Sequence, residues 1–259
     1  MSKFRFVKII PWVFLLLPVI FCSAGCGETQ SPIEGSSQIF LVISSTIDDT
    51  SANLYAFERT GNAWELLYQH PVVIGRTGMA WGLGLHGDNA VIDGEPVKKE
   101  GDGKTPMGVF TLPKAYGYLD PANVNTDFPY EQATNTLICV DDSNSERYNE
   151  IFDWELELID GDSLPSHEDM RRDDDLYLYT IVVGHNIDNP VKEAGSCIFL
   201  HLWEGPESHT AGCTAMSEQD MLKMLYYLDP DKTPLLVQLT ISAYDRLRNV
   251  WHLPSIPVE

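Results

Sequence analysis

Positive charge is what this sequence has least of. Its 259 residues carry 17 Lys and Arg against 38 Asp and Glu, a formal net charge of −21. No basic stripe survives that balance, which excludes a nucleic-acid partner. Removal of residues 1–25 takes Lys3, Arg5 and Lys8 away and brings the balance to 14 − 38 = −24. Long apolar runs are scarce as well. Ile9 to Cys22 is a 14-residue stretch broken by Pro11 and Pro18, short of the ~20 residues a membrane span requires. Internal repeats are absent, and so are the signatures of several common sites. Gly103-Lys104-Thr105 lacks the first glycine of a phosphate-binding loop, where Lys98 stands, and Pro106 blocks the helix such a loop needs. His201, His209 and Cys213 fit no standard zinc spacing and have no fourth ligand. Asp141-Asp142 and Asp173-Asp174-Asp175 lack the glycine and spacing of a calcium loop. No metal or organic cofactor is expected, and nothing sets the oligomeric state.

What is present starts at the N-terminus. Lys3, Arg5 and Lys8 ahead of the Ile9–Cys22 run have the layout of a signal peptide, residues 1–25, so the protein is expected to be exported to the cell envelope. Ser23-Ala24-Gly25-Cys26 reads as a lipoprotein site, with Cys26 carrying a lipid that attaches the chain to a membrane. Ordinary cleavage after Ala24 or Gly25 is the alternative. Residues 26–37 are polar and rich in Gly, Ser and Glu, the composition of a flexible tether. Of the five cysteines, Cys22 leaves with the signal and Cys26 is the lipid site. Either Cys139 pairs with Cys197 and leaves Cys213 free, or all three are unpaired thiols.

The mature chain is mostly β. Strands are predicted at Ile39–Ile43, at Asn53–Phe57 and Trp64–Tyr68 around the turn Arg59-Thr60-Gly61-Asn62, and at Pro71–Ile74. Others follow at Val109–Leu112, Leu137–Val140, Leu176–Val183, Ile198–Trp203 and Leu235–Ile241. One helix is predicted, capped by Ser217, with Met221, Leu222, Leu225 and Leu228 on its apolar face and Asp229-Pro230 at its end. The expected architecture is a twisted β-sandwich over residues 38–243, with that helix packed on it after Cys213. An acidic insertion at about 117–175 shapes a cleft, and residues 244–259 form a C-terminal tail.

Reactive side chains are densest between Gly195 and Thr214. A thiol reacts as its thiolate, and a neighbouring imidazole lowers its pKa or takes its proton. His201 at a strand end and Cys213 beyond the following loop are placed to meet across adjacent strands, as base and nucleophile. Gly212 lets substrate approach the backbone, where the N–H groups of Ala211, Gly212 and Cys213 are candidates to hold an oxyanion.

These residues resemble the L,D-transpeptidase catalytic domain, also called YkuD-like, from residue 39 to about 241. The early hairpin and Val72-Val73-Ile74-Gly75 are similar to the opening strands of that family. Asp102-Gly103-Lys104-Thr105-Pro106-Met107-Gly108-Val109-Phe110 matches its Thr-Pro-x-Gly-x-Phe turn. His201 with Thr210-Ala211-Gly212-Cys213-Thr214-Ala215 matches its His and Ser/Thr-His-Gly-Cys signature, and a helix and final strand follow. Ala211 replaces the usual His, with His209 two residues earlier, and Ala215 replaces an Arg or Asn, so a variant branch ending Thr-Ala-Gly-Cys-Thr-Ala-Met fits better. His185, Asn186, Arg171 and Arg172, with His209 and Thr210, are the candidates for substrate contacts. The resemblance implies a Cys213 thioester formed on a peptidoglycan stem peptide with loss of a terminal D-amino acid, then transfer to an amine. It also implies that His201 is oriented by the backbone carbonyl of Leu202. A hydrolase on the same scaffold, acting as L,D-carboxypeptidase or endopeptidase, and a non-catalytic envelope-binding lipoprotein are the alternatives.

Overall fold

Strand formation follows the apolar runs. The computed structural model describes residues 31–257 apart from Asn62 and residues 159–162. The signal peptide and the Cys26 lipid site therefore lie outside the described residues. The first half of the chain forms β1 (Gln38–Ser44), β2 (Ser51–Thr60), β3 (Ala63–Val73), β4 (Met79–Trp81), β5 (Thr105–Thr111), β6 (Ala115–Gly117) and β7 (Tyr130–Gln132). The second half adds β8 (Leu137–Val140), β9 (Ile151–Asp153), β10 (His167–Asp169), β11 (Tyr179–Val182), β12 (Phe199–Leu202), β13 (Thr214–Met216) and β14 (Leu235–Thr240). Helices are α1 (Trp154–Glu157), α2 (Glu218–Tyr227) and α3 (Ile241–Leu247). No described helix is long and apolar enough to cross a membrane.

Eleven strands join in the order β4-β5-β14-β1-β2-β3-β13-β12-β11-β6-β7, and β10-β8-β9 make a small second sheet. The mainly β fold of the expectation holds, built from one large sheet and one small sheet with few helices. β1 is buried along its whole length, flanked by antiparallel β2 and parallel β14. That position suits a run of Ile, Phe, Leu and Val with no polar alternation. Inner side chains from β1, β2, β5, β14, β11 and β12 fill one core with α2 and α3.

The predicted hairpin is present, with Thr60 opposite Ala63 and Gly61 at φ 62°. Such a tight connection needs positive φ, which glycine supplies without steric cost. Two predicted strands, Trp64–Tyr68 and Pro71–Ile74, merge into the single β3. Thr105 and Pro106, expected as a turn, already belong to β5, where β4 and β14 pair on either side.

Four further differences have physical reasons. The buried face of α2 is Met221, Met224, Leu225 and Leu228, whereas Leu222 is exposed. Offsets of 3, 4 and 7 from Met221 share one side of a helix; an offset of 1 turns away by about 100°. The expected tail is structured: Thr240 caps α3 through the N–H of Ala243, and Tyr244, Leu247, Trp251 and Leu253 are buried. The expected tether is shorter, since Ile33 is buried in the core and Ser31 Oγ donates to the carbonyl of Trp251 at 2.6 Å. Finally, the acidic insertion holds regular structure, the small sheet and α1.

Candidate active site

β12 and β13 run parallel, with Leu200 beside Thr214, His201 beside Ala215 and Leu202 beside Met216. Extending that register by one residue sets Cys213 beside Phe199, whose N–H donates to Cys213 Sγ at 3.3 Å. Side chains alternate along strands, so Phe199 and His201 share a face with Cys213 and Ala215. The imidazole and the thiol therefore stand on one face of adjacent strands, a diagonal apart. Both line a cleft of about 320 Å³.

The loop before Cys213 is tied down from both sides. Thr210 exchanges backbone hydrogen bonds with Ile74 and Arg76. Its hydroxyl donates to the Cys213 carbonyl at 2.6 Å and accepts the Gly212 N–H at 3.1 Å. Thr105 Oγ1 donates to the same carbonyl at 2.9 Å and accepts the N–H of Gly75. The Thr-Pro segment singled out in the sequence is thus a buttress for the cysteine. Gly212 sits at φ 147°, and a Cβ there would come within 3.0 Å of the Lys104 carbonyl. Only glycine fits both conditions comfortably. The N–H groups of Ala211 and Cys213 have no acceptor among the described residues.

His201 Nδ1 lies 2.7 Å from the Leu202 carbonyl. A carbonyl can only accept, so the hydrogen sits on Nδ1 and Nε2 is left as the basic nitrogen. Burial pushes the imidazole down to about 4; the Leu202 carbonyl opposes this, Arg172 adds to it and Asp174 opposes it. Burial pushes the Cys213 thiol up to about 12, with the negative charge of Glu168 helping, against the Phe199 N–H, Lys98 and Arg172. No hydrogen bond joins imidazole and thiol among the described residues, and Sγ donates to the Cys197 carbonyl at 3.7 Å. Burial thus favours the neutral thiol and the neutral imidazole over an ion pair.

The candidate substrate contacts separate. Arg172, His209 and Thr210 line the cleft with Cys213, as do Ala211 and Leu202. Arg172 is held by two hydrogen bonds to Asp174, at 2.9 and 2.8 Å, and its guanidinium lies 5.2 Å from the Tyr177 ring centre. Arg171 turns elsewhere, donating to the carbonyls of Tyr118 and Ala133. His185 is buried outside the cleft; Nδ1 accepts from the Leu83 N–H and Nε2 donates to the Ala194 carbonyl. Asn186 bridges Val191 and Gly195 of its own loop. Both brace their own loop and neither lines the cleft of Cys213.

Two cleft residues carry no sequence signal. The Tyr177 hydroxyl donates to Glu168 Oε2 at 2.7 Å, and its ring stands edge-on to His201 with centres 5.2 Å apart. Glu168 arrives through the small sheet, opposite Cys139 in the β10–β8 pairing. Cys139 is disulfide-bonded to Cys197, with Cα atoms 5.9 Å apart, and Cys213 is the free thiol. Of the two readings of the cysteines, pairing is the one observed. Among the described residues no group of three or more His, Cys, Asp or Glu converges as a metal site.

The family model described as the L,D-transpeptidase catalytic domain (YkuD) matches residues 44–237, more than half of the chain. The chain belongs to the L,D-transpeptidase catalytic domain family. That match contains every element of the cleft, from the Ile74–Arg76 segment through Thr105 and Glu168 to Cys213. Among solved structures, this L,D-transpeptidase domain is similar to Bd1075 of Bdellovibrio bacteriovorus, at 15% identity and a TM-score of 0.38 over 83% of this chain and 54% of that one. It is also similar to the helical cell shape determining protein Pgp2 of Campylobacter jejuni, at 14% identity and a TM-score of 0.34 over 79% of this chain and 48% of that one. The chain thus spans about half the length of each. The curated proteins contain no match.

Proposed function

We propose that the protein is a cysteine acyltransferase acting on peptidoglycan stem peptides, with Cys213 as nucleophile and His201 as proton carrier. One observation carries this reading: thiol and imidazole share a face of two adjacent strands over one cleft, with Nδ1 anchored on Leu202 and Nε2 left for the proton. Sγ attacks the carbonyl carbon of an L-configured residue, such as a diaminopimelate-type centre, that precedes a terminal D-amino acid. The thiol proton passes to Nε2 and then to the leaving amine, so the C–N bond breaks once the C–S bond has formed. The N–H groups of Ala211 and Cys213, without an acceptor among the described residues, support a role in holding the oxyanion. An amine then attacks the thioester and gives its proton through His201 to the departing thiolate, which restores Cys213.

A neutral pair makes proton removal concerted with attack, because a free thiolate would be scarce at neutral pH. The test is acylation by a carbapenem, read by intact mass. A single adduct is expected on the wild-type protein and none on Cys213→Ala. A folded wild-type protein that stays unmodified refutes the acyltransfer reading. With tetrapeptide substrates, crosslinked dimers are the expected product, and tripeptides alone would reassign the protein as a hydrolase.

The same proposal has the protein exported and lipid-anchored through Cys26 in the cell envelope. The Cys139–Cys197 disulfide supports an oxidising compartment, since such bonds are rare where thiols are kept reduced. Fractionation checks the anchor: Cys26→Ser is expected to move the protein from the membrane fraction to the soluble one, and an unchanged distribution rejects it.

A further inference from the structure

The cleft holds one acid that the proposed reaction leaves unused. Glu168 lines the same cavity as Cys213 and His201. Its Oε2 is occupied by the Tyr177 hydroxyl at 2.7 Å, while Oε1 accepts no hydrogen bond among the described residues. No Lys, Arg or His nitrogen lies within ion-pair distance of it there. Arg172, the nearby cation, is committed to Asp174 through both of its hydrogen bonds. The other charged groups facing Glu168 are Asp141 and Glu100, which add negative charge. Burial together with these acids raises the Glu168 carboxyl, with Tyr177 and Arg172 working against the shift.

An uncompensated carboxylate beside a nucleophilic thiol works against the chemistry of that thiol. Its charge opposes formation of a thiolate, and it is the second largest influence holding the Cys213 thiol up. Such a group is costly to hold half-buried without a cation in contact with it. A cation delivered by the substrate resolves both costs at once. We propose that Glu168 is a specificity-determining residue that binds a primary ammonium of the substrate, so that docking of the correct substrate neutralises the charge facing Cys213. The proposal rests on the acyltransfer reading, and it adds the residue that reads the free side-chain amine of the diamino acid placed there. Two sources of the ammonium share this chemistry, the side chain of the acyl donor and the incoming acceptor amine. The donor is the better fit, because it is present when the thiol must lose its proton.

Two synthetic peptides test this on the full chain: a tetrapeptide with L-lysine before a terminal D-alanine, and its Nε-acetyl twin. Binding is measured by calorimetry in the Cys213→Ala background, so that no turnover intervenes. The lysyl peptide is expected to bind more tightly than the acetylated one, and Glu168→Gln to weaken only the lysyl peptide, by about 10- to 100-fold, as loss of one charge-assisted bond implies. With Cys213 present, Glu168→Gln is expected to speed alkylation of Cys213 by neutral iodoacetamide, because a repelling charge has gone. A purely structural role for Glu168 would not produce that gain. If Glu168→Gln instead leaves both peptides bound equally well but slows aminolysis of the thioester, the ammonium read there belongs to the acceptor, and the assignment of Glu168 to the acyl donor is overturned.

Equal weakening of both peptides, or no change in binding, aminolysis or alkylation, overturns the assignment. Should Glu168→Gln fail to fold, wild-type discrimination between the two peptides decides, since equal affinity overturns the assignment without any variant. Carbapenem acylation separates the two levels of the argument. Normal acylation with no preference for the lysyl peptide sinks Glu168 alone, whereas no acylation and no binding of either peptide sinks both.

Discussion

At the level of single residues, burial outweighs pairing. His201 keeps a hydrogen bond to Leu202 that favours its charged form, yet its pKa is about 4 because the ring is 8% exposed. His185, 1% exposed, is likewise lowered to about 4. A histidine depressed in the folded state takes up its proton first in the unfolded chain, near pH 6.5. The unfolded state then binds more protons between about pH 6.5 and 4, and stability falls as pH drops through that window. The stabilisation is intact above pH 6.5. Each histidine is expected to cost about 2 kcal/mol between pH 7 and pH 5. Urea midpoints measured across that range should decline, and the decline should shrink in His185→Gln relative to its own value at pH 7. An unchanged slope would mean that His185 is charged in the native state. Cys213 and His201 stood out in the sequence as a short-range pattern, whereas the Leu202 carbonyl was named only through the family resemblance. Glu168 and Tyr177 did not stand out, since an acid within an acidic stretch and a tyrosine in an alternating strand look like surface and core.

Among elements, strands that are long and apolar declare themselves, and short ones depend on neighbours. β1, β8 and the β2–β3 hairpin follow directly from apolar runs and turn chemistry. β13 has three residues and exists because β12 pairs along one edge and Val73 of β3 along the other. No local propensity announces it, although it begins at the residue after Cys213. The small sheet is similar: β10 also has three residues and is fixed by pairing with β8. The disulfide then ties β8 to the segment leading into β12 across 58 residues of chain. Closing a loop of that length stabilises by about 4 kcal/mol in the chain-entropy treatment. Replacing Cys139 and Cys197 together by Ser is expected to lower the unfolding free energy by about that amount and to slow Cys213 acylation, because the segment leading into β12, and with it His201, is then less firmly held. Denaturant unfolding and carbapenem kinetics measure the two effects. A loss of stability with unchanged acylation would confine the bond to a structural role.

Across the whole molecule, the cleft is assembled from segments far apart in the chain: the Ile74–Arg76 strand exit, Thr105, Glu168 with Arg172, Tyr177 with His201, and the Thr210–Cys213 loop. The sequence by itself determined the mainly β composition, the helix after Cys213, and the choice of Cys213 and His201 as the candidate pair. These depend on residue type and spacing within about a dozen positions, where periodicity, capping and turn preference act directly. Tertiary structure alone decided which cysteines pair, that the C-terminal stretch folds back as α3 with Trp251 and Leu253 buried, and that Glu168 lines one cleft with Cys213. Each of those is a contact between distant residues, whose free energy appears only after a long loop has been closed and the groups have been taken out of water together.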